Sequence, residues 1–210
     1  MLLQVQDLGN DVDVLKMKDV FDSLSQDPYV AEKYRYKHLV RVVCDRGNLS
    51  ETEHGPFFQS LDLNPTHGNV SRTYPKLDVT DEIKHLVLLF AEMSNIPDGK
   101  EILVQAQRIK TSPEVKGHPA VEGFHRDGID ELGLFCAARE NITGGLNQFK
   151  RTKDSPIYAE MLLEPGRIVL IDDTRSYHYA TPIVSIDSSK AAYRDVILLC
   201  APAANLSPPK

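Results

Sequence analysis

A chain of 210 residues, 41% apolar and 26% charged, is long enough to bury one full hydrophobic core and has the make-up of an ordinary soluble protein. Its formal charge of −6 excludes a dedicated nucleic-acid binder, because no basic stripe is available to neutralise phosphates. No apolar run is long enough to span a membrane, and the opening "MLLQVQDLGNDVDV" has neither the basic start nor the long apolar centre of a signal peptide, so a cytoplasmic protein is expected.

In chain order, Val14, Met17, Phe21 and Leu24 recur at helical spacing, with Asn10 and Asp11 as candidate caps, and Asp27-Pro28 ends that helix. "KHLVRVVCD" reads as a strand. From Arg46 to Asp78 the chain is polar and rich in Gly, Pro and Asn, a long irregular connection of the kind that carries function in compact domains. A second helix is expected around residues 79–95, with Ile83, Leu86, Val87 and Phe90 as its apolar stripe. Beyond it, "EILVQAQRI", "LGLFCAA", "RIVLIDD" and "YRDVILLCA" are short aliphatic runs separated by turn-rich segments, which predicts an antiparallel sandwich or barrel. The expected layout is one domain over residues 1–210, with a helical part over about 1–98 packed outside a β-core over about 99–203, and a "SPPK" tail that frays. Cys44, Cys136 and Cys200 are widely spaced in apolar runs and read as buried thiols of a reducing compartment.

Within "GFHRDGIDE", His125 and Asp127 are two residues apart, a spacing that on a strand puts imidazole and carboxylate on the same side. The pair alone is equally an ordinary polar turn. A metal needs a third ligand, and His178 in "DTRSYHYATP" stands out because it follows a strand in the strand-rich half. His38, His54, His67 and His118 lie in the N-terminal half or in loops, and His85 sits in an amphipathic helix. Two histidines and one aspartate on one face of a metal match the facial triad of non-haem Fe(II) oxygenases, whose open positions take a keto acid and dioxygen. Arg194, sixteen residues past His178, shares a strand face with Val196 and Leu198, and an arginine on an apolar face requires an anionic partner such as a keto acid's far carboxylate.

The order of these features carries a resemblance. His125-Arg126-Asp127, Gly144-Gly145, Pro165-Gly166, His178 followed by Thr181-Pro182, then Tyr193-Arg194-Asp195 before an apolar strand, with "FFQSLDLNPTHGNVSRTYPKLD" upstream, resembles the 2-oxoglutarate/Fe(II) dioxygenase family whose best-known members hydroxylate free amino acids such as L-isoleucine. The resemblance runs from about residue 35 to 202 and is firmest from 120 onward. It implies an α+β, mainly β fold: a double-stranded β-helix (jelly-roll, cupin-like) core with the N-terminal helices outside. It further implies Fe(II) on His125, Asp127 and His178, 2-oxoglutarate anchored by Arg194, and dioxygen as the second cosubstrate. The activity it implies is oxidation of an aliphatic C–H of a free amino acid or small amino-acid-derived metabolite, with release of succinate and carbon dioxide.

Two residues are candidates for the substrate. Arg108 shares an apolar strand face with Ile102, Val104 and Ala106 and is set to grip a carboxylate or to form a plain ion pair. Gly144-Gly145 reads as a hairpin turn, and Asn147, just after it, is placed to point into the barrel mouth. Tyr177 and Tyr179 are expected to pack away from the metal, Asp172 and Asp173 to form a strand-end polar pair, and Asp130 or Glu131 to offer a site for an amino group. The rival readings are a tailoring oxygenase of an amino-acid-bearing, mycosporine-like natural product, and a cupin-type metal enzyme or binding module that uses no 2-oxoglutarate.

Overall fold

Strands that bury both faces carry few exposed positions, and the long strands of this protein are of that kind. The computed structural model describes residues 2–65 and 68–208, so His67 and the last two residues of the "SPPK" tail lie outside the described residues. A seven-stranded antiparallel sheet runs in the order β1 (Leu3–Asp7), β9 (Arg167–Asp172), β5 (Glu131–Glu140), β12 (Tyr193–Ala201), β4 (Glu101–Lys110), β2 (Arg35–Asp45) and β3 (Asn48–Glu51). A smaller layer packs on one of its faces. There β10 (Tyr177–Ala180), β7 (Leu146–Lys150) and β8 (Ile157–Leu162) form one sheet, and β11 (Ile183–Ser185) pairs with β6 (Ile142–Gly144). Residues 117–125 join the edge of that layer through isolated bridges, Gly117 to Ile183 and His125 to His178. The whole is a jelly-roll of mainly β structure, as expected.

The helices cover the other face of the large sheet. Thr80 caps α2 (Asp81–Met93) by accepting the Ile83 amide, and Asp81 and Glu82 place negative charge in the first turn, where the helix dipole favours it. Its stripe Ile83, Leu86, Val87 and Phe90 is fully buried, in one cluster with Phe21, Ile102, Val104, Phe135 and Ile197. Gly133 on β5 makes that packing possible, since a Cβ there would stand 2.7 Å from the Phe90 ring. A second cluster lies between the two layers and includes Leu39, Leu103, Leu134, Phe149 and Val196. Cys44, Cys136 and Cys200 are buried free thiols. Among the described residues no helix is long and apolar enough to cross a membrane.

Three expectations are corrected. The first 98 residues are not a helical part, because β1, β2 and β3 belong to the main sheet. In β1 only Leu3 packs partly on the core while Val5 is exposed, so this short strand has no buried alternation to stand out. The first helix is only α1 (Lys18–Asp22), which has no side-chain cap; it continues a 3-10 turn at Val14–Met17 that is capped by Asp13, which accepts the Leu15 amide, not by Asn10 or Asp11. Gly144-Gly145 is not a hairpin: both residues have positive φ and bend the chain from β6, paired with β11, into β7, paired with β10.

Because Phe90 closes the interface between α2 and Gly133, Phe90→Ala is expected to cost about 3–5 kcal/mol of unfolding free energy, read by urea denaturation. A loss under about 1 kcal/mol would mean that the helix does not depend on this contact.

Candidate active site

His178 is on β10, His125 ends the irregular segment 117–125, and reciprocal backbone bonds of 2.9 and 3.1 Å hold the two together. Their rings lie 4.4 Å apart, centroid to centroid. Asp127 stands between them, with carboxylate oxygens 3.5 Å from His178 Nε2 and 4.0 Å from His125 Nε2. One donor atom from each of the three lies within 4.8 Å of the others, the grouping expected for three ligands of one metal.

Each of the three side chains is held by a further contact. His125 Nδ1 lies 2.8 Å from the Gly123 carbonyl, which can only accept, so Nδ1 carries the proton and Nε2 keeps its lone pair toward Asp127. His178 Nδ1 lies 3.4 Å from Asp173 Oδ1, a pairing by charge that is angled too poorly for a hydrogen bond, and both atoms are buried without another partner. The second oxygen of Asp173 accepts the Gly128 and Ile129 amides at 2.9 and 3.3 Å and so pins the chain just after Asp127. Gln59 donates to Asp127 Oδ1 at 3.0 Å, leaving the other oxygen toward His178. Burial alone would raise the Asp127 pKa, but the hydrogen bond and charge of His178, with His125 behind it, hold it below the usual carboxylate range. The donor set fits a divalent ion such as Fe(II), which would take one ionised carboxylate and the two imidazoles as neutral ligands, displacing the proton that Asp127 and Asp173 hold on His178 against burial.

The triad lines a cleft between the layers, together with Arg194 and Asn147. Arg194 is 2% exposed and its Nη2 donates to Asn147 Oδ1 at 3.1 Å, while its Nε has no partner. Burial and nearby Arg139 push its pKa down, the mark of a guanidinium without a matching anion among the described residues. A carboxylate of 2-oxoglutarate fits that requirement.

Arg108 is a correction. It does face the apolar side that its spacing indicated, but that side lies under the helices, away from the cleft. There Nε and Nη2 grip Asp195 at 2.7 Å each and Nη1 reaches Asp22 at 2.7 Å. Asp195 is its direct neighbour across β4 and β12, so the plain ion pair holds. Asp130 and Glu131 also lie outside the cleft, whereas Tyr179 lines it, against Phe124. Sequence reasoning missed Lys37, Gln59, Arg72, Glu122 and Asp173. Arg35, Lys37 and Arg41 alternate with Leu39 on one face of β2, a run of charges on an inner face that could have flagged Lys37. Gln59 and Arg72 come from the long loop, which has no period to read.

These observations meet an independent one: the family model for 2OG-Fe dioxygenases matches residues 18–200. The chain belongs to that family, and it is a dioxygenase that uses Fe(II), 2-oxoglutarate and dioxygen. It is 22% identical over 198 residues to the 3(1)-hydroxy-L-isoleucine 4-dioxygenase of Pantoea ananatis (strain AJ13355), across 88% of this chain and 78% of that one. Its fold is shared with a BsmA homologue from Methylobium petroleophilum PM1 (23% identity, TM-score 0.78, 94% of this chain and 84% of that one). It is shared too with IDO from Bacillus thuringiensis (16% identity, TM-score 0.74, 95% and 89%).

Lys37 makes a stability prediction. It is 6% exposed, and burial, with Arg35 and Arg72 adding to it, lowers its pKa to about 7. An unfolded lysine titrates near ~10.4, so the charged form is disfavoured by the fold. The cost is fully present below about pH 7, shrinks as the folded group loses its proton, and is gone above ~10.4. Lys37→Met is therefore expected to raise Tm at pH 6.5, with the gain narrowing toward pH 10, in paired thermal melts. A variant less stable than wild type at pH 6.5 contradicts this.

Proposed function

We propose that His125, Asp127 and His178 hold the Fe(II), that Arg194 with Asn147 receives the far carboxylate of 2-oxoglutarate, and that the substrate is a free amino acid or a small amino-acid-derived metabolite. The observation that carries the reading is that three ligand atoms within 4.8 Å of one another and a buried arginine without a carboxylate partner open into the same cleft. The substrate class is supported by the relative that acts on 3(1)-hydroxy-L-isoleucine by its name.

When bound, iron with 2-oxoglutarate and dioxygen supplies the oxidation of an aliphatic C–H bond, succinate and carbon dioxide being released. The chain's own part is positional. Gly123 holds the His125 ring by its Nδ1 and Asp173 faces Nδ1 of His178, so both Nε2 atoms are turned to the Asp127 side. Gln59 occupies one oxygen of Asp127, which directs the other inward. Arg194 orients the cosubstrate with a charge that burial keeps strong, and Leu134, Phe149, Val196 and Leu198 make the apolar wall that keeps bulk water from the reacting carbon.

Anaerobic addition of Fe(II) and then 2-oxoglutarate should give the visible charge-transfer band of a chelated keto acid in wild type. The band should be weak in Arg194→Ala and absent in Asp127→Ala. Turnover, followed as succinate stimulated by a panel of free amino acids and derivatives, should fall at least about a hundred-fold in Asp127→Ala. A wild-type band in Asp127→Ala would break the ligand assignment.

A further inference from the structure

Six lysine or arginine side chains among the described residues are buried: Arg35, Lys37, Arg41, Arg72, Arg108 and Arg194. Three have a carboxylate partner, Arg35 on Asp27 at 2.7 Å, Arg41 on Glu101 at 3.1 Å and Arg108 on Asp195 at 2.7 Å. Lys37, Arg72 and Arg194 have none among the described residues, and all three line the same cleft. Arg194 is accounted for by the cosubstrate. Lys37 and Arg72 are not.

Their surroundings hold them in place without neutralising them. Lys37 Nζ and Arg72 Cζ each stand 4.6 Å from the centroid of Phe57, and Lys37 is 4.7 Å from that of Tyr74. Aromatic faces offset only part of the desolvation cost of an ammonium or guanidinium. Arg72 donates to the neutral Gln59 Oε1 at 3.1 Å, and its buried Nε has no partner. Lys37 Nζ has no hydrogen bond or ion pair among the described residues, and burial, with Arg35 and Arg72 adding to it, lowers its pKa. By register, Lys37 pairs with Gln107, which pairs with Val196, whereas Arg194 lies two residues along β12. The sheet spacing puts the two backbone positions about 12 Å apart, so they serve different ends of the cleft.

We infer that Lys37 and Arg72 form a second anion site, which holds a carboxylate of the substrate while Glu122 of the same cleft receives its basic nitrogen. The inference rests on the oxygenase reading above and narrows its substrate. Iron, Asp127, 2-oxoglutarate and Arg194 balance to zero charge, and Arg35 cancels with Asp27. Lys37 and Arg72 against Glu122 leave one positive charge in the cleft lining. The matching substrate carries a net negative charge: two carboxylates and one basic nitrogen. A free acidic amino acid and an amino-acid conjugate share that chemistry.

The test is calorimetric titration of oxygen-free protein, loaded with Fe(II) and 2-oxoglutarate, with L-glutamate, γ-L-glutamylglycine and L-isoleucine. At least one diacid should bind about ten-fold or more tighter than L-isoleucine. Lys37→Met should remove that preference and Lys37→Arg should retain it. A preference for L-glutamate points to the free amino acid, and one for the dipeptide to a conjugate. If neither diacid is preferred, or Lys37→Met keeps the preference, the site is overturned. Should the keto-acid band be missing from wild type, the oxygenase reading fails instead. The anion site is then read by the thermal shift that L-glutamate gives the metal-free protein, which must be present in wild type and lost in Lys37→Met.

Discussion

A carboxylate held between two imidazoles is the interaction around which the rest of this structure is arranged. Asp127 lies 3.5 Å from one ring nitrogen and 4.0 Å from another, and each of the three groups comes from a segment that would not stay there alone. The irregular stretch before Asp127 makes no regular ladder with any strand. It is tied down by the Gly117–Ile183 bridge at one end and by the backbone exchange with His178 at the other, just before Asp173 takes two amides. Asp173 therefore acts twice, fixing the chain and facing the imidazole. The small layer exists to present β10 at that spot, and the large sheet to back it with Arg194 two strands from Lys37.

The same cleft concentrates positive charge that the protein leaves unmatched. Elsewhere in the molecule buried cations are neutralised, Arg108 most fully, by Asp195 and Asp22. Among the described residues Lys37, Arg72 and Arg194 have no carboxylate partner, which lowers stability, since a buried ion is compensated only by a nearby opposite charge. Binding sites are where such a cost is retained, because a preorganised charge needs no rearrangement when its partner arrives. Arg72 also donates to Gln59, which donates to Asp127, so the proposed substrate pocket and the proposed metal site share one hydrogen-bond chain.

How much of this could be read beforehand depends on whether a residue sits on a regular element. His178 and Arg194 lie on strands whose alternation shows which way they point, and Ile83, Leu86, Val87 and Phe90 follow a helical period. Arg108 was legible in direction but not in consequence. A strand in a two-layer fold has two apolar faces, and pattern alone does not say which one meets the cleft. Its partner Asp195 is adjacent only through the pairing of β4 with β12. Gln59, Arg72 and Glu122 come from irregular segments where spacing carries no direction. Of the strands in the first 98 residues "KHLVRVVCD" in β2 was legible, whereas β1 is short and held by pairing with β9 far along the chain, and β3 is short and polar.

The most direct measurement is diffraction from crystals grown without oxygen in the presence of Fe(II) and 2-oxoglutarate, with anomalous data collected at the iron edge. The account predicts a single iron peak bonded to His125 Nε2, His178 Nε2 and one oxygen of Asp127, with the keto acid reaching from it to Arg194. An iron peak elsewhere, or a keto acid whose far carboxylate does not meet Arg194, would contradict it.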